Sequence, residues 1–215
     1  MHNTVKNLIY IEEYIKSKAN HVKLPTIIAV SKTFPIEKVL PLIEHGHLHY
    51  GENKVQEAID KWSDIKFKKN IKLHLIGGLQ TNKVKFALQI FDYIHSLDSE
   101  RLATKIADEQ VKQRNKPKIF IQVNIGNEEQ KSGINKEKLG DFYKFCKNLN
   151  LNIIGTMCIP PNDSNTEEYF SEMKDINQEL NFKDLSMGMS GDYIDAVKNR
   201  ATYVRVGSRI FGSRN

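Results

Sequence analysis

The chain has 215 residues, a formal net charge of +6, 40% hydrophobic and 27% charged residues. That length and balance exclude a disordered tail or a membrane-embedded chain and leave a globular fold with a sizeable core. No segment approaches the ~20 apolar residues a membrane span needs, and Met1 to Tyr10 lacks the apolar run and small-residue cleavage site of a secretion signal.

The basic residues are mostly lysines interleaved with acids, as in Lys105-Ile106-Ala107-Asp108-Glu109; only Lys66, Lys68 and Lys69 cluster densely, where a loop is expected. No helix-turn-helix, zinc-finger or aromatic stacking pattern accompanies them, so a solvated surface is expected and no nucleic-acid partner. Cys146 and Cys158 match no metal or redox spacing and read as reduced thiols of a cytoplasmic protein.

Apolar residues at helical spacing (Val5, Leu8, Ile9, Ile11, Ile15) predict an opening helix over Asn3 to Lys18. Thr26-Ile27-Ile28-Ala29-Val30 follows, a β-branched run that reads as a buried parallel strand and delivers Lys32 at its end. Pro35 starts a helix that closes at Gly46. A second strand over His47 to Tyr50 leads to Gly51-Glu52-Asn53, with Asn53 expected to cap a helix from Lys54 to Ile65. Lys72 to Ile76 is a third strand, broken by Gly77-Gly78 and followed by a helix over Thr81 to Gln89. Tyr93 to Ser96 is the fourth, and Asp98 or Ser99 caps a helix running through Arg114.

The fifth strand, Lys118 to Asn124, is the clearest; a loop over Ile125 to Ile134 leads to a helix over Lys136 to Leu149. Ile153 to Met157, Asp184 to Met187 and Thr202 to Val206 complete the strands, with helices over Thr166 to Leu180 and Gly191 to Asn199 between them. Eight strand–helix alternations without a linker, repeat or low-complexity segment predict one domain over residues 1–215. That domain is an α/β fold, a (β/α)₈ TIM barrel with an extra N-terminal helix; a doubly wound open sheet is the alternative.

In a barrel the active groups stand at the C-terminal strand ends. Lys32 occupies the first of them, where partial burial favours a neutral amine able to attack an aldehyde. The seventh strand runs into Met189-Ser190-Gly191-Asp192 and the eighth into Gly207-Ser208. Ser190, expected to cap the short helix, and the glycine amides beside it form a candidate anion site. Arg205 shares a strand face with Gly207 and is a permanently charged donor beside Lys32. Asn53 and His74, at strand ends, are pocket candidates. His45, His47 and His49 invite a metal reading, but no carboxylate or cysteine set completes a site, and surface histidines are expected.

Taken together, Ala29-Val30-Ser31-Lys32-Thr33, Gly51-Glu52-Asn53, His74-Leu75-Ile76-Gly77-x-Leu79-Gln80-x-Asn82-Lys83, Lys131-Ser132-Gly133, Ser186-Met187-Gly188-Met189-Ser190-Gly191-Asp192 and Val204-Arg205-Val206-Gly207-Ser208-x-Ile210-Phe211-Gly212 resemble the pyridoxal phosphate homeostasis proteins, the YggS/PROSC-like group. The likeness runs from about Ile27 to Gly212. It implies a barrel similar to the N-terminal domain of alanine racemase, with pyridoxal 5′-phosphate as a Schiff base on Lys32, phosphate at Ser190, Gly191, Gly207 and Ser208, and Arg205 facing the pyridine nitrogen. An arginine there only donates, so the ring nitrogen stays an unprotonated acceptor and the ring a poor electron sink. Gly78 stands where the family varies, and Ser208 replaces a frequent threonine while keeping the hydroxyl.

The role implied is cofactor binding and supply in vitamin B6 and amino-acid balance, with pyridoxal-phosphate-dependent apoenzymes as receivers and a monomer as the expected state. A racemase needs an acid/base on each side of the substrate α-carbon. Only Lys32 is evident; a fold-type III racemase's β domain and catalytic tyrosine have no counterpart, so efficient catalysis is not expected. A pyridoxal-phosphate enzyme of unknown substrate, with Lys131 or His74 as second base, is the competing reading, and a basic RNA-binding module the third.

Overall fold

Period-two alternation along the eight strands sends every second side chain to the barrel axis and the others against the helices. The computed structural model describes residues 1–19, 23–161, 163 and 165–213. The strands β1 (Thr26–Val30), β2 (His49–Glu52), β3 (Lys72–Leu75), β4 (Tyr93–Leu97), β5 (Lys118–Val123), β6 (Ile153–Cys158), β7 (Asp184–Met189) and β8 (Tyr203–Val206) form a closed barrel in chain order. Every neighbouring pair is parallel, and closure brings Ile28 of β1 opposite Arg205 of β8. The barrel expected from the alternation is present, and the open sheet is excluded.

Outside the barrel lie α1 (Asn3–Lys18), α2 (Ile36–Glu44), α3 (Val55–Trp62), α4 (Val84–Ile90), α5 (Glu100–Gln113), α6 (Leu139–Asn148), α7 (Thr166–Glu179), α8 (Tyr193–Lys198) and α9 (Ser208–Phe211). The turns Thr81–Lys83 and Lys136–Lys138, expected as the first turns of α4 and α6, are 3₁₀. α9 went unforeseen because its four residues are too few to show a helical period. Ser99 caps α5 by accepting the Leu102 amide, and Arg114 ends it in the left-handed region. Asn53 does not cap α3: Lys54 holds that position, and no side chain bonds the free amides.

Two apolar clusters record the alternation. The larger holds Ile27, Ala29, Leu73, Leu75, Ile119, Ile121, Val204 and Val206 with helix residues such as Val39, Leu42, Trp62 and Ile106. Ile28, Tyr93, Phe120, Met157 and Tyr203 form a separate cluster, the interposed residues that fill the barrel interior. The polar residues His74, His95, Ser186 and Arg205 share that interior parity and are buried.

Lys66 is not part of a solvated basic patch. It is buried, pairs with Asp92 at 3.0 Å and stands over the Phe67 ring. Both cysteines are buried and unpaired, and burial pushes each thiol up to about 12. Because the thiolate is the reacting form, neither is expected to react with iodoacetamide at pH 8 in the native state, and both should react in denaturant. Rapid native-state alkylation would contradict the packing. No helix among the described residues is long and apolar enough to cross a membrane.

Candidate functional site at the C-terminal barrel mouth

After Val30 the chain turns sharply, and Thr33 adopts φ +68°, a left-handed conformation unfavourable for a β-branched residue. Local hydrogen bonds hold the turn. The Ser31 amide donates to Gly51 O (3.0 Å), the Phe34 amide to Ser31 O (3.1 Å) and the Thr33 amide to Glu57 Oε1 (2.5 Å). Beneath them lies Glu52, fully buried. Its Oε1 accepts from Ser31 Oγ (2.7 Å), Lys61 Nζ (2.9 Å) and Trp62 Nε1 (3.0 Å). Lys61 Nζ also donates to Ser31 O (2.9 Å) and Glu57 Oε1 (3.2 Å). Gly51-Glu52-Asn53, which the sequence places at the end of the second strand, therefore carries the buried carboxylate that props the Lys32 turn. Lys61 and Trp62, one helix away, gave no sequence signal for that role.

Lys32, half-buried, lines a cavity of about 630 Å³ at the C-terminal strand ends. Asn53, Ser190, Gly191, Arg205, Gly207 and Ser208 line the same cavity. Gly77 brings its backbone against Asn53: an added Cβ would meet Asn53 O at 2.4 Å, so the cavity wall leaves no room for a side chain there. Gln122, Ser132, Ile159 and Met189 also line it and were not anticipated. Gln122 was readable, since it lies two residues beyond the inward Phe120 on β5.

His74 does not line the cavity. It is fully buried at the barrel axis, against Tyr93 and between His49 and His95. Ser190 does not cap α8, which begins at Tyr193 with Asp192 before it. Its hydroxyl instead accepts the Gly207 amide at 3.2 Å, tying the end of β7 to the end of β8. A hydroxyl that accepts one bond still has its own proton to donate. Lys131, the alternative second base, is ion-paired to Glu128 and points its ammonium at Pro160 O (3.4 Å).

Arg205 is buried and donates to Ser186 Oγ (2.8 Å) and to Cys158 O (2.9 Å), both neutral oxygens. Burial lowers its pKa from the ordinary value, yet a guanidinium starts so high that it stays a charged donor at the cavity floor. His45 is exposed, but His47 and His49 are half-buried, not the surface residues expected. His47 bonds His49 O (2.9 Å), and burial brings it down to about 4. Among the described residues no His, Cys, Asp and Glu group could hold a metal.

Barrel and cavity together define a class, and the family model described as alanine racemase, N-terminal domain, matches residues 7–215. Relatives named pyridoxal phosphate homeostasis protein align along most of both chains. That of Aquifex aeolicus is 37% identical, covering 87% of this chain and 86% of its own, and that of Escherichia coli K12 is 31% identical, covering 100% and 98%. The chain thus belongs to the pyridoxal phosphate homeostasis protein family, within the alanine racemase N-terminal-domain group. Among solved structures, PipY of Synechococcus elongatus PCC7942 without PLP is 30% identical with a TM-score of 0.88, covering 98% of this chain and 100% of PipY. The same protein with PLP bound gives a TM-score of 0.82 at 29% identity, covering 97% of this chain and 100% of PipY. Alanine racemase of Clostridium difficile 630, at 16% identity and a TM-score of 0.75, shares the fold; the match covers 99% of this chain and 57% of the racemase.

Proposed function

We propose that the protein holds pyridoxal 5′-phosphate in this cavity, with Lys32 as the covalent Schiff-base residue, and serves intracellular vitamin B6 supply rather than amino-acid turnover. One observation carries the reading: an amine, a buried arginine and a hydroxyl-and-amide cluster, drawn from β8 and the segments that follow β1, β7 and β8, line a single cavity. Its size falls within the range usual for cofactor pockets, about 300–1,000 Å³. The donor set fits the group: the cavity lining holds an amine for an aldehyde, a hydroxyl and glycine amides for a phosphate, and a donor for a ring nitrogen. When bound, the cofactor supplies an aldehyde and an electron-accepting pyridine ring.

The chain's own residues bind and orient. Lys32 offers its amine to the aldehyde carbon. Ser190 Oγ and the amides near Gly191 and Ser208 would offer donors to the phosphate, while Arg205, which can only donate, would leave a ring nitrogen facing it unprotonated. Asn53, its backbone packed on Gly77, borders the ring space. An arginine partner and the absence of a second base opposite Lys32 among the described residues favour storage and delivery over catalysis. The whole chain acts as one binding domain, a cytoplasmic monomer, with pyridoxal-phosphate-dependent apoenzymes as receivers. Pyridoxal-phosphate titration of the purified protein, alongside solvent-deuterium exchange at the α-carbon of a panel of amino acids, tests this. Stoichiometric binding without exchange is expected; rapid exchange would establish an enzyme instead.

Ser190→Ala is expected to weaken cofactor binding about ten- to a hundredfold while leaving the Lys32 attachment in place, since a hydrogen bond to a charged group is worth about 1.5–3 kcal/mol. Equilibrium dialysis against wild type gives the ratio. Equal retention by the two proteins would remove Ser190 from the phosphate grip.

A further inference from the structure

A chain of polar side chains crosses the otherwise apolar barrel interior. Arg205 Nη1 lies 2.8 Å from Ser186 Oγ, His95 Nδ1 lies 2.9 Å from the same oxygen, His95 Nε2 lies 2.9 Å from His74 Nδ1, and His74 Nε2 lies 2.9 Å from His49 Nδ1. The contributing strands are β8, β7, β4, β3 and β2, so the chain leads from the cavity floor to the opposite, N-terminal mouth. His49 stands there half-buried, close enough to Lys72, Asp92 and Lys118 to feel their charges.

The chemistry of the first group sets a direction. A guanidinium only donates, so Ser186 Oγ accepts from Arg205. The single Ser186 proton then needs an acceptor, and His95 Nδ1 is the one at hand. The opposite arrangement, with His95 Nδ1–H also donating to Ser186, would leave that hydroxyl proton buried with no acceptor among the described residues, at the cost of an unsatisfied polar group. His74 and His95 are fully buried, the first stacked on Tyr93 at 4.1 Å and the second on Phe120 at 4.3 Å. Burial holds both well below the ordinary imidazole range. Each is thus a neutral ring with one donor and one acceptor, which a relay requires.

We propose that Ser186, His95, His74 and His49 are positioning residues forming a one-way relay, every bond donated away from Arg205, that fixes the guanidinium at the cavity floor. Ser186 O–H donates to His95 Nδ1, His95 Nε2–H to His74 Nδ1, and His74 Nε2–H to His49 Nδ1. All three imidazoles carry their proton on Nε2. Arg205 Nη1 is held inside the barrel and Nη2 by Cys158 O, so the guanidinium plane cannot turn freely toward a ligand. Its bearing on cofactor binding rests on the function proposed above; the relay itself rests on the geometry.

The test is nitrogen-15 NMR of the histidine rings in the cofactor-free protein, which reads the tautomer of each ring. In the wild type His74 and His95 are expected as Nε2–H tautomers. Arg205→Met removes the source of the direction, and the His74 proton should lose its preference for Nε2, three hydrogen bonds from the substitution. If that variant fails to fold, Ser186→Ala interrupts the same chain with a smaller change and should have the same effect on His74. An Nδ1–H tautomer at either ring in the wild type would overturn the relay, as would an unchanged His74 tautomer in a folded variant of either kind. A simple packing role for Ser186 would leave His74 unmoved. With wild type binding the cofactor, Ser186→Ala should also weaken that binding about tenfold; a wild type that binds none would sink the proposed function and leave the tautomer result intact.

Discussion

Lys32→Ala is expected to remove the visible colour of protein saturated with pyridoxal phosphate and to weaken cofactor binding by more than about a hundredfold, close to 2.8 kcal/mol. The amine is the one group in the proposed constellation able to bond the aldehyde carbon, so the variant retains only the phosphate grip and the Arg205 contact. The barrel should remain intact. Lys32 is half-buried and lines the cavity, outside the apolar clusters that hold the barrel together. Absorbance titration and circular dichroism on the same samples separate the two effects. A colourless variant that also unfolds earlier in urea would locate Lys32 in the support of the turn instead of the chemistry.

Lys61→Met is expected to cost about 3–5 kcal/mol of stability, because it strips the ammonium from a carboxylate that has no access to solvent. Glu52 keeps Ser31 Oγ and Trp62 Nε1, but its Oε2 has no hydrogen-bond partner among the described residues, and both remaining bonds fall on Oε1. The Ser31 carbonyl also loses a donor, directly before Lys32 and the left-handed Thr33. Cofactor binding should therefore fall with stability. Adding Glu52→Gln to Lys61→Met removes the stranded charge and should recover part of the loss, since an amide is cheaper to bury than a carboxylate. Urea unfolding midpoints with unchanged slopes measure both. A loss below about 1 kcal/mol in Lys61→Met would show that the pair does not hold the turn.

The barrel was legible because strands such as β1 and β5 are short β-branched or aromatic runs and the α/β alternation never breaks. Ile119-Phe120-Ile121 shows why: three apolar residues in a row mark a strand buried on both faces. What each face touches was harder to read. His74 and His95 sit at interior positions whose neighbours come from distant strands, so their linkage exists only once the barrel closes. Ser190 was singled out at the strand end as a helix cap, but its hydroxyl meets the amide of Gly207, 17 residues on, not the helix beside it. Glu52 was read only as part of the segment ending the second strand; that its carboxylate is buried and bonded to Ser31, Lys61 and Trp62 emerges only when β1, β2 and α3 pack together.

Borohydride reduction of the pyridoxal-phosphate-loaded protein, followed by peptide mapping, bears most directly on all of this. A stable phosphopyridoxyl increment confined to the peptide containing Lys32, at one per chain, is the predicted result. The same increment on another lysine, or an unmodified Lys32 peptide from protein that had bound the cofactor, would contradict the account.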